Sequence, residues 1–416
     1  MTGTEMLAAI AALLVVLGAV ELARHRRNLR RIRHRIHVNG TRGKSSVTRL
    51  IAAALREAGV VTCAKTTGTL ARMILPDGRE VPIFRPAGAN VIEQLRIVAA
   101  AAAYGAEALV IECMALQPEL QALSELKMVR ATHGVITNAR PDHLDVMGPA
   151  ARDVARALAG MMPERGKLFT AEQANLAELA SAAADRKSEL IAITEAEIRG
   201  VGSDELARFG YTEHPDNVAL ALRVCAELGV SREVALRGMW KCPPDPGALT
   251  RHELEFFGRR LVFYNAFAAN DPVSTEQLWQ RANDQTPEAE QRIAIFNCRA
   301  DRPDRSLQLG AEFTRWRPAD FLVLMGSGTY LFARAATRAG FDPARLVVVE
   351  DLSVEEIFES VVALVGRSAL VVGMGNIGGQ GLSLTRYFRN RAAPVLPRGV
   401  SALGEVPGRA LLEVEP

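Results

Sequence analysis

Paired cysteines are missing from this chain. Cys63, Cys113, Cys225, Cys242 and Cys298 are odd in number, and no two stand close enough for a C-x-x-C motif. A disulfide framework or a zinc site is disfavoured, and a reducing cytoplasm fits better. Internal repeats and low-complexity blocks are absent too, which sets repeat architectures aside. Nor does the body carry excess positive charge. Residues 1–35 hold seven Arg and two Glu, so a chain of net +3 leaves the remaining 381 residues near −2. That removes the electrostatic case for nucleic-acid binding. What is present is length and apolar content: 416 residues, about half of them hydrophobic, enough for two domains rather than one core.

The N-terminus departs from a soluble pattern. Met6 to Val20 carries no charge. At ~1.5 Å per residue it spans ~22 Å, and running on to Ala23 adds ~4 Å, against a hydrocarbon core of ~30 Å. No Lys or Arg precedes it, whereas Arg24, Arg26, Arg27, Arg30, Arg31, Arg33 and Arg35 follow. A cleaved signal peptide has the opposite polarity. A membrane anchor with the N-terminus outside and the body in the cytoplasm is expected; the alternative is a soluble amphipathic leader helix.

From Arg35 onward strands and helices alternate. RIHVNG, GVVTCAK, AEALVIECM, THGVITN, GKLFTA and SELIAIT read as strands, and AEALVIECM and THGVITN are the near-continuous apolar runs expected of central parallel strands. Helices are expected over Ser45–Ala58, Asn217–Leu228 and Ser231–Trp240. The Pro-rich KCPPDPGALTRHE, residues 241–253, reads as a domain boundary. A second α/β series follows, with strands near RLVFYNAF, RIAIFNC, DFLVLMG, RLVVVED and SALVVGMGN. The fold class expected is α/β: a P-loop ATPase domain with a parallel central sheet, a smaller Rossmann-like C-terminal domain and an N-terminal membrane helix. Expected boundaries are 1–35 for the anchor and basic arm, 36–242, 243–390, and an irregular tail over 391–416.

HVNGTRGKSSVTRL, residues 37–50, joins a strand to a helix, where backbone N–H groups and the helix dipole favour phosphate. Gly40 and Gly43 permit tight turns. Lys44 would neutralise β- and γ-phosphates, and Ser45 would offer a hydroxyl to Mg²⁺. The first glycine of the usual P-loop pattern is absent, because that position is Val38; an ordinary glycine turn with a surface lysine is the alternative. Glu112 ends the buried run ALVIE, a costly place for a carboxylate without a metal or partner. TNARPDHLDVMG, residues 137–148, gathers Asn138, Asp142, His143 and Asp145, residue types that can ligate and orient a metal.

Taken in order, GTRGKS, KTTGT (65–69), ECMAL (112–116), TN…DHLD and HPDNVALAL (214–222) resemble the Mur ligase superfamily, which forms amide bonds by activating carboxylates with ATP. Its phosphate loop reads G-T-x-G-K-[ST], without the usual first glycine. NGTRGKSSVTRL, KTTGTLARMI, ECMALQPELQ, DHLDVMGP, PPDPGAL, NAFAANDP, NCRADRPDR and GMGNIGG resemble, more narrowly, the ligase subunits of capsule-type poly-γ-glutamate synthases.

The resemblance implies ATP and Mg²⁺ as cofactors and Lys44, Glu112 and His143 as the catalytic group. Gly40, Thr41, Arg42, Gly43, Lys44, Ser45 and Ser46 would hold phosphates; Ser45, Glu112 and His143 would hold metal. Asn217 matches the residue that reaches adenine, whereas His214 is displaced by one position. Asn265 and Asp271 of NAFAANDP would close over the nucleotide. Thr67, Arg72, Arg85, Arg299, Arg302 and Arg305 are candidate contacts for glutamate and growing polyglutamate; Arg299, Arg302 and Arg305 alternatively form a salt-bridged loop with Asp301 and Asp304. In GMGNIGG the family's Lys and His are replaced by Met374 and Asn376. Leu158 stands where many Mur ligases carry a carbamylated lysine, so metal binding must be completed differently. With only 35 residues before the first strand, a UDP-sugar domain is not expected. Partners expected are the membrane and other membrane-embedded synthase subunits, with oligomerisation allowed and no nucleic acid. The rival readings are a Mur-type ligase for another small carboxylate or peptide acceptor, and a membrane-tethered regulatory NTPase.

Overall fold

The computed structural model describes residues 2–67, 70–85, 88–141, 143–245 and 249–392. Parts of several motifs therefore lie outside the described residues: Gly68 and Thr69 of KTTGT, Asp142, the side chain of Asp145, Pro246–Ala248 of the Pro-rich segment, and the tail from residue 393. The chain forms two compact units. One covers residues up to Thr250 together with Asn265–Asn270 and Met374–Leu382; the other comprises Arg251–Tyr264, Asp271–Gly373 and the described residues from Ser383.

The first unit is built on β1 (His34–Asn39), β2 (Thr62–Thr66), β3 (Arg72–Ile74), β4 (Glu80–Pro82), β5 (Ala108–Glu112), β6 (His133–Ile136), β7 (Lys167–Thr170) and β8 (Glu189–Ala192). Their order is β4-β3-β2-β5-β1-β6-β7-β8. Along that order neighbours from β2 to β8 are parallel, while β3 and β4 form an antiparallel edge. Every residue of β2 and β5 is buried, as expected where helices cover both faces of a parallel sheet. The three-residue strands β3 and β4 are too short for a periodic signal, and sequence reasoning did not foresee them.

Three helices frame the crevice and the N-terminal arm: α1 (Gly3–Arg31), α2 (Lys44–Glu57) and α3 (Glu93–Ala103). α2 buries Val47, Leu50, Ile51 and Leu55, each worth roughly 1.5–3 kcal/mol. It packs with helices Pro215–Glu227 and Arg232–Trp240 into one core. On another core, Leu29 and Ile32 at the end of α1 meet Ile97, Val98 and Ala101 of α3 and Val129. α1 begins with a Thr2–Glu5 capping box and continues unbroken through the basic arm. Its apolar stretch is unburied, and the helix is long and apolar enough to cross a bilayer.

In the second unit β9 (Thr250–Phe256), β10 (Arg259–Asn265), β11 (Gln291–Cys298), β12 (Phe321–Gly326), β13 (Leu346–Val348) and β14 (Ser368–Met374) take the order β13-β12-β11-β14-β10-β9. β11, β12 and β13 are parallel, with helices between them. β9 joins β10 through Phe257-Gly258, both at positive φ, the backbone of a two-residue hairpin turn. Its sequence, TRHELEF, is mostly polar and half-exposed, which hid it from a search for apolar runs.

Candidate active site

The carboxyl ends of β5, β1 and β6 are adjacent, and parallel α/β sheets bind ligands in the crevice outside such ends. Val38 pairs with Glu112 and Asn39 with Ile136, so the loop leaving β1 emerges between Glu112 and Thr137. Both loop glycines are required. Gly40 has φ +135, and a Cβ there would lie 2.0 Å from Thr137 Oγ1; Gly43 has φ +82, and a Cβ would meet Asn217 Oδ1 at 2.6 Å. Gly43 is also the N-cap of α2 and offers no side chain, leaving the first N–H groups of the helix directed into the crevice.

The loop is fastened from β6. Thr41 Oγ1 donates to Asn138 Oδ1 (2.6 Å), which also accepts from Arg42 N (3.1 Å). Asn138 Nδ2 and Thr137 Oγ1 both donate to Arg42 O, at 3.1 and 2.6 Å. Thr137 and Asn138 thus position the loop, a role that the metal-oriented reading of residues 137–148 missed. Lys44 Nζ turns over the loop and donates to Gly40 O (2.6 Å) and Thr41 O (3.4 Å).

Ser45 Oγ donates to Glu112 Oε2 (2.9 Å), and Thr67 donates to the same carboxylate through N (2.8 Å) and Oγ1 (2.6 Å). Glu112 is 2% exposed and is held by hydroxyl and amide donors. His143 adopts φ +48, an uncommon conformation for a non-glycine residue, and lines the same cavity of about 660 Å³ as Lys44, Ser45 and Glu112. Leu158 lines it too. Among the described residues no three His, Cys, Asp or Glu side chains gather as a metal-binding group. A hydroxyl beside a buried carboxylate is nevertheless a hard-oxygen donor pair. It suits Mg²⁺, which keeps several waters and takes phosphate oxygens as its other ligands.

Across α2, Glu213 accepts from Ser46 Oγ, His214 N (2.9 Å) and Asn217 Nδ2 (2.9 Å). Asn217 is thereby fixed against the loop at Gly43. Glu213 was not foreseen; its signal was an acid immediately before the His-Pro start of a strong helix. NAFAANDP divides differently from expectation. Phe267, Ala268 and Asn270 line the cavity, and Arg42 donates to Asn270 Oδ1 at 3.5 Å. Asn265 instead is buried at the end of β10, accepting from Phe267 N, and Asp271 caps the following helix by accepting from Ser274 N. Neither lines the cavity. Asn376 and Ile377 of GMGNIGG do.

The expected substrate cations scatter. Arg85 reaches the cavity, but its guanidinium is bidentate to Glu93 (2.6 and 2.9 Å). Glu93 also pairs with fully buried Lys65 (3.1 Å), an unforeseen cation whose pKa burial lowers, with Glu93 and Glu112 opposing. Arg72 lies on β3 and does not line the cavity. Arg299, Arg302 and Arg305 belong to the second unit, where Arg299 pairs with Asp301 and Arg302 is the N-cap of helix Pro303–Phe313.

Comparison with known proteins bears on this arrangement. Residues 38–213 match the Mur ligase middle domain, and residues 251–391 match the poly-gamma-glutamate synthase CapB C-terminal domain. The capsule biosynthesis protein CapB of Bacillus anthracis is 37% identical over 368 residues, covering 88% of this chain and 78% of that protein. The PGA synthase CapB of Bacillus subtilis (strain 168) is 37% identical over 371 residues, covering 88% and 93%. Mycobacterium tuberculosis folylpolyglutamate synthase complexed with ADP shares the fold, with a TM-score of 0.66 at 18% identity, covering 91% of this chain and 99% of that one.

Proposed function

The chain belongs to the CapB family of poly-γ-glutamate synthases, and from that premise we infer that it is an ATP-dependent amide ligase of the Mur type that joins glutamate in poly-γ-glutamate synthesis. The observation that carries the site assignment is the meeting of Lys44, Ser45, Glu112 and His143 in one cavity at the carboxyl ends of β5, β1 and β6.

A glutamate carboxylate is a poor electrophile because its charge repels an amine. Its oxygen attacks the γ-phosphorus of ATP, the bond to ADP breaks, and an acyl phosphate forms. The amine then attacks the acyl carbon, gives up a proton, and inorganic phosphate leaves with the electron pair. The first step brings two anions together, and at ~4 Å they repel by about 4 kcal/mol at an effective dielectric near 20. Lys44 offsets part of this, and the backbone N–H groups at the start of α2 hold the phosphates in line. Ser45, Glu112 and His143 would hold Mg²⁺, which supplies further charge neutralisation when bound. Thr67 holds Glu112 in place, and Glu213 fixes Asn217 on the adenine side of the loop. Asn270 takes the closing role expected of Asn265 and Asp271. Arg299, Arg302 and Arg305 supply cations for polyglutamate carboxylates, as does Arg85 when it leaves Glu93.

In this reading residues 36–242 form the ATP-binding domain and 243–390 the C-terminal ligase domain. α1 anchors the chain, with the body on the cytoplasmic face beside other membrane-embedded subunits. Membranes carrying the chain, given ATP, Mg²⁺ and isotopically labelled glutamate, should yield a product ladder spaced by one glutamyl unit in mass analysis. ATP hydrolysis without incorporation of label would refute the ligase reading.

A further inference from the structure

A second large cavity of the first unit, about 920 Å³, lies at the opposite ends of the same strands. Arg35 at the start of β1, Thr132 just before β6 and Gly166 just before β7 line it. Arg26 and Arg30, one helical turn apart on α1, form one wall; Arg130, Arg165, Lys187 and Arg186, the last residue of helix Leu176–Arg186, come from the body. Against these cations stand Glu125, Glu164 and Asp185. Glu125 is already engaged by His37 Nδ1 (2.8 Å) and Ala131 N (2.7 Å). Arg35 is likewise used within the fold, donating to Leu29 O, Ile32 O and Arg130 O. The other six cations form no salt bridge among the described residues.

Three of those cations hold an unusual backbone. Arg130, Arg165 and Lys187 have φ of 48, 53 and 54, the left-handed region that favours glycine. Arg130 and Lys187 occupy positions that end helical segments, where glycine is the usual choice. Long cationic side chains there direct charge toward the cavity at a cost in backbone energy.

Position identifies the occupant. Leu29 and Ile32 fasten the end of α1 into the core, so the basic arm is not a loose tether. If the apolar part of α1 ends at Ala23, Arg26 lies ~4.5 Å and Arg30 ~10 Å farther along the helix axis. Headgroup layers occupy the ~5–7 Å beyond the hydrocarbon. Arg26 thus falls within the headgroup layer and Arg30 just beyond it, so the α1 wall of the cavity starts at headgroup depth. We propose that this cavity is a docking site for the phosphate-bearing headgroup of an anionic phospholipid in the leaflet that α1 enters. The inference rests on the anchor reading of α1. Its consequence is a seated catalytic body, held by α1 and by lipid phosphate rather than swinging on a helix.

The test uses the full chain reconstituted in bilayers of phosphatidylcholine and phosphatidylglycerol, with spin-labelled versions of each lipid. Phosphatidylglycerol should be enriched beside the protein, and salt should weaken the enrichment. The combined variant Arg130→Asn, Arg165→Asn, Lys187→Asn keeps residues that tolerate positive φ, so it should fold at least as well as the parent. It should lose about fivefold or more of the preference, while ligase activity per inserted molecule persists. A control removing three exposed cations elsewhere, Arg79→Gln, Arg152→Gln and Arg338→Gln, should retain the preference. An unchanged preference in the Asn variant would overturn the site. Displacement of phosphatidylglycerol by short polyglutamate would overturn it in favour of a polymer path. A chain released from the bilayer by alkaline carbonate would remove the anchor premise itself, an outcome separate from the other two.

Discussion

The two cavities of the first unit lie at opposite ends of one sheet and handle charge in opposite ways. At the carboxyl ends each of the main ionic groups is already engaged by protein: Lys44 on loop carbonyls, Glu112 on Ser45 and Thr67, Arg85 on Glu93, Glu213 on Ser46 and Asn217. At the amino ends most of the cations have no acidic partner among the described residues. If the first cavity holds ATP as proposed, this arrangement fixes geometry before the triphosphate arrives, as in-line phosphoryl transfer demands. The second keeps an unspent positive field, which suits a diffuse anionic surface. Backbone strain divides the same way. Of the six described non-glycine residues at positive φ, His143 lines the first cavity, and Arg130, Arg165 and Lys187 line the second.

Breaking the first cavity should have the largest effect. Lys44→Ala should lower kcat for glutamate incorporation by about 10³-fold and leave the lipid preference intact; steady-state kinetics beside spin-label spectra check both. A change in both readouts would show that the two ends are not independent.

The His37–Glu125 pair ties them together. His37 lies on β1, and Glu125 lines the amino-end cavity. Burial opposes protonation of His37, but the nearby Cys113 thiol and the Glu125 carboxylate hydrogen-bonded to its Nδ1 raise its pKa to about 9. A raised folded-state pKa contributes stability that is fully present below about 6.5 and lost as pH rises through about 9, on the order of 3 kcal/mol. His133 works in the other direction. Burial, with His34 beside it, lowers its pKa to about 4, so its contribution is lost as pH falls from about 6.5 toward 4. Denaturation midpoints across pH should therefore be highest near pH 6.5. Glu125→Gln should flatten the alkaline limb, and His133→Phe the acid limb. An alkaline limb unchanged by Glu125→Gln would rule out the paired histidine as its cause.

A smaller effect is expected at the loop fastening. Asn138→Ala removes the acceptor of Thr41 Oγ1 and Arg42 N and one of the two donors to Arg42 O, at a cost of about 1–3 kcal/mol. It should raise KM for ATP more than KM for glutamate. Smallest of all, Arg302→Glu should raise KM for glutamate severalfold with little change for ATP. The reverse ranking would remove Arg302 from the polyglutamate path.

Much of the fold was legible because its signals are local. The buried run of β5 carries its own hydrophobicity, and the step from β1 through two glycines into α2 is the pattern from which a phosphate loop is proposed. β3, β4 and β9 were not legible because their segments are short or half-polar and become strands only by pairing. Within the candidate site, residue type and place singled out Lys44, Ser45 and Glu112, which line one cavity, but not Glu213 and Asn270, which line it too. Their importance depends on which distant side chain they meet.

By itself the sequence determined an apolar N-terminal helix running into a basic arm, a strand–loop–helix with two glycines before a lysine and a serine, and a carboxylate at the end of a buried strand. Each is a property of neighbouring residues and needs no partner. Only tertiary structure decided that Glu93 occupies Arg85 and Lys65, that Asn138 fastens the phosphate loop, and that Arg130, Arg165 and Lys187 join Arg26 and Arg30 around one cavity. Whether a charge is neutralised or left to act depends on groups brought close from far along the chain, and that proximity exists only once the strands have been set in order.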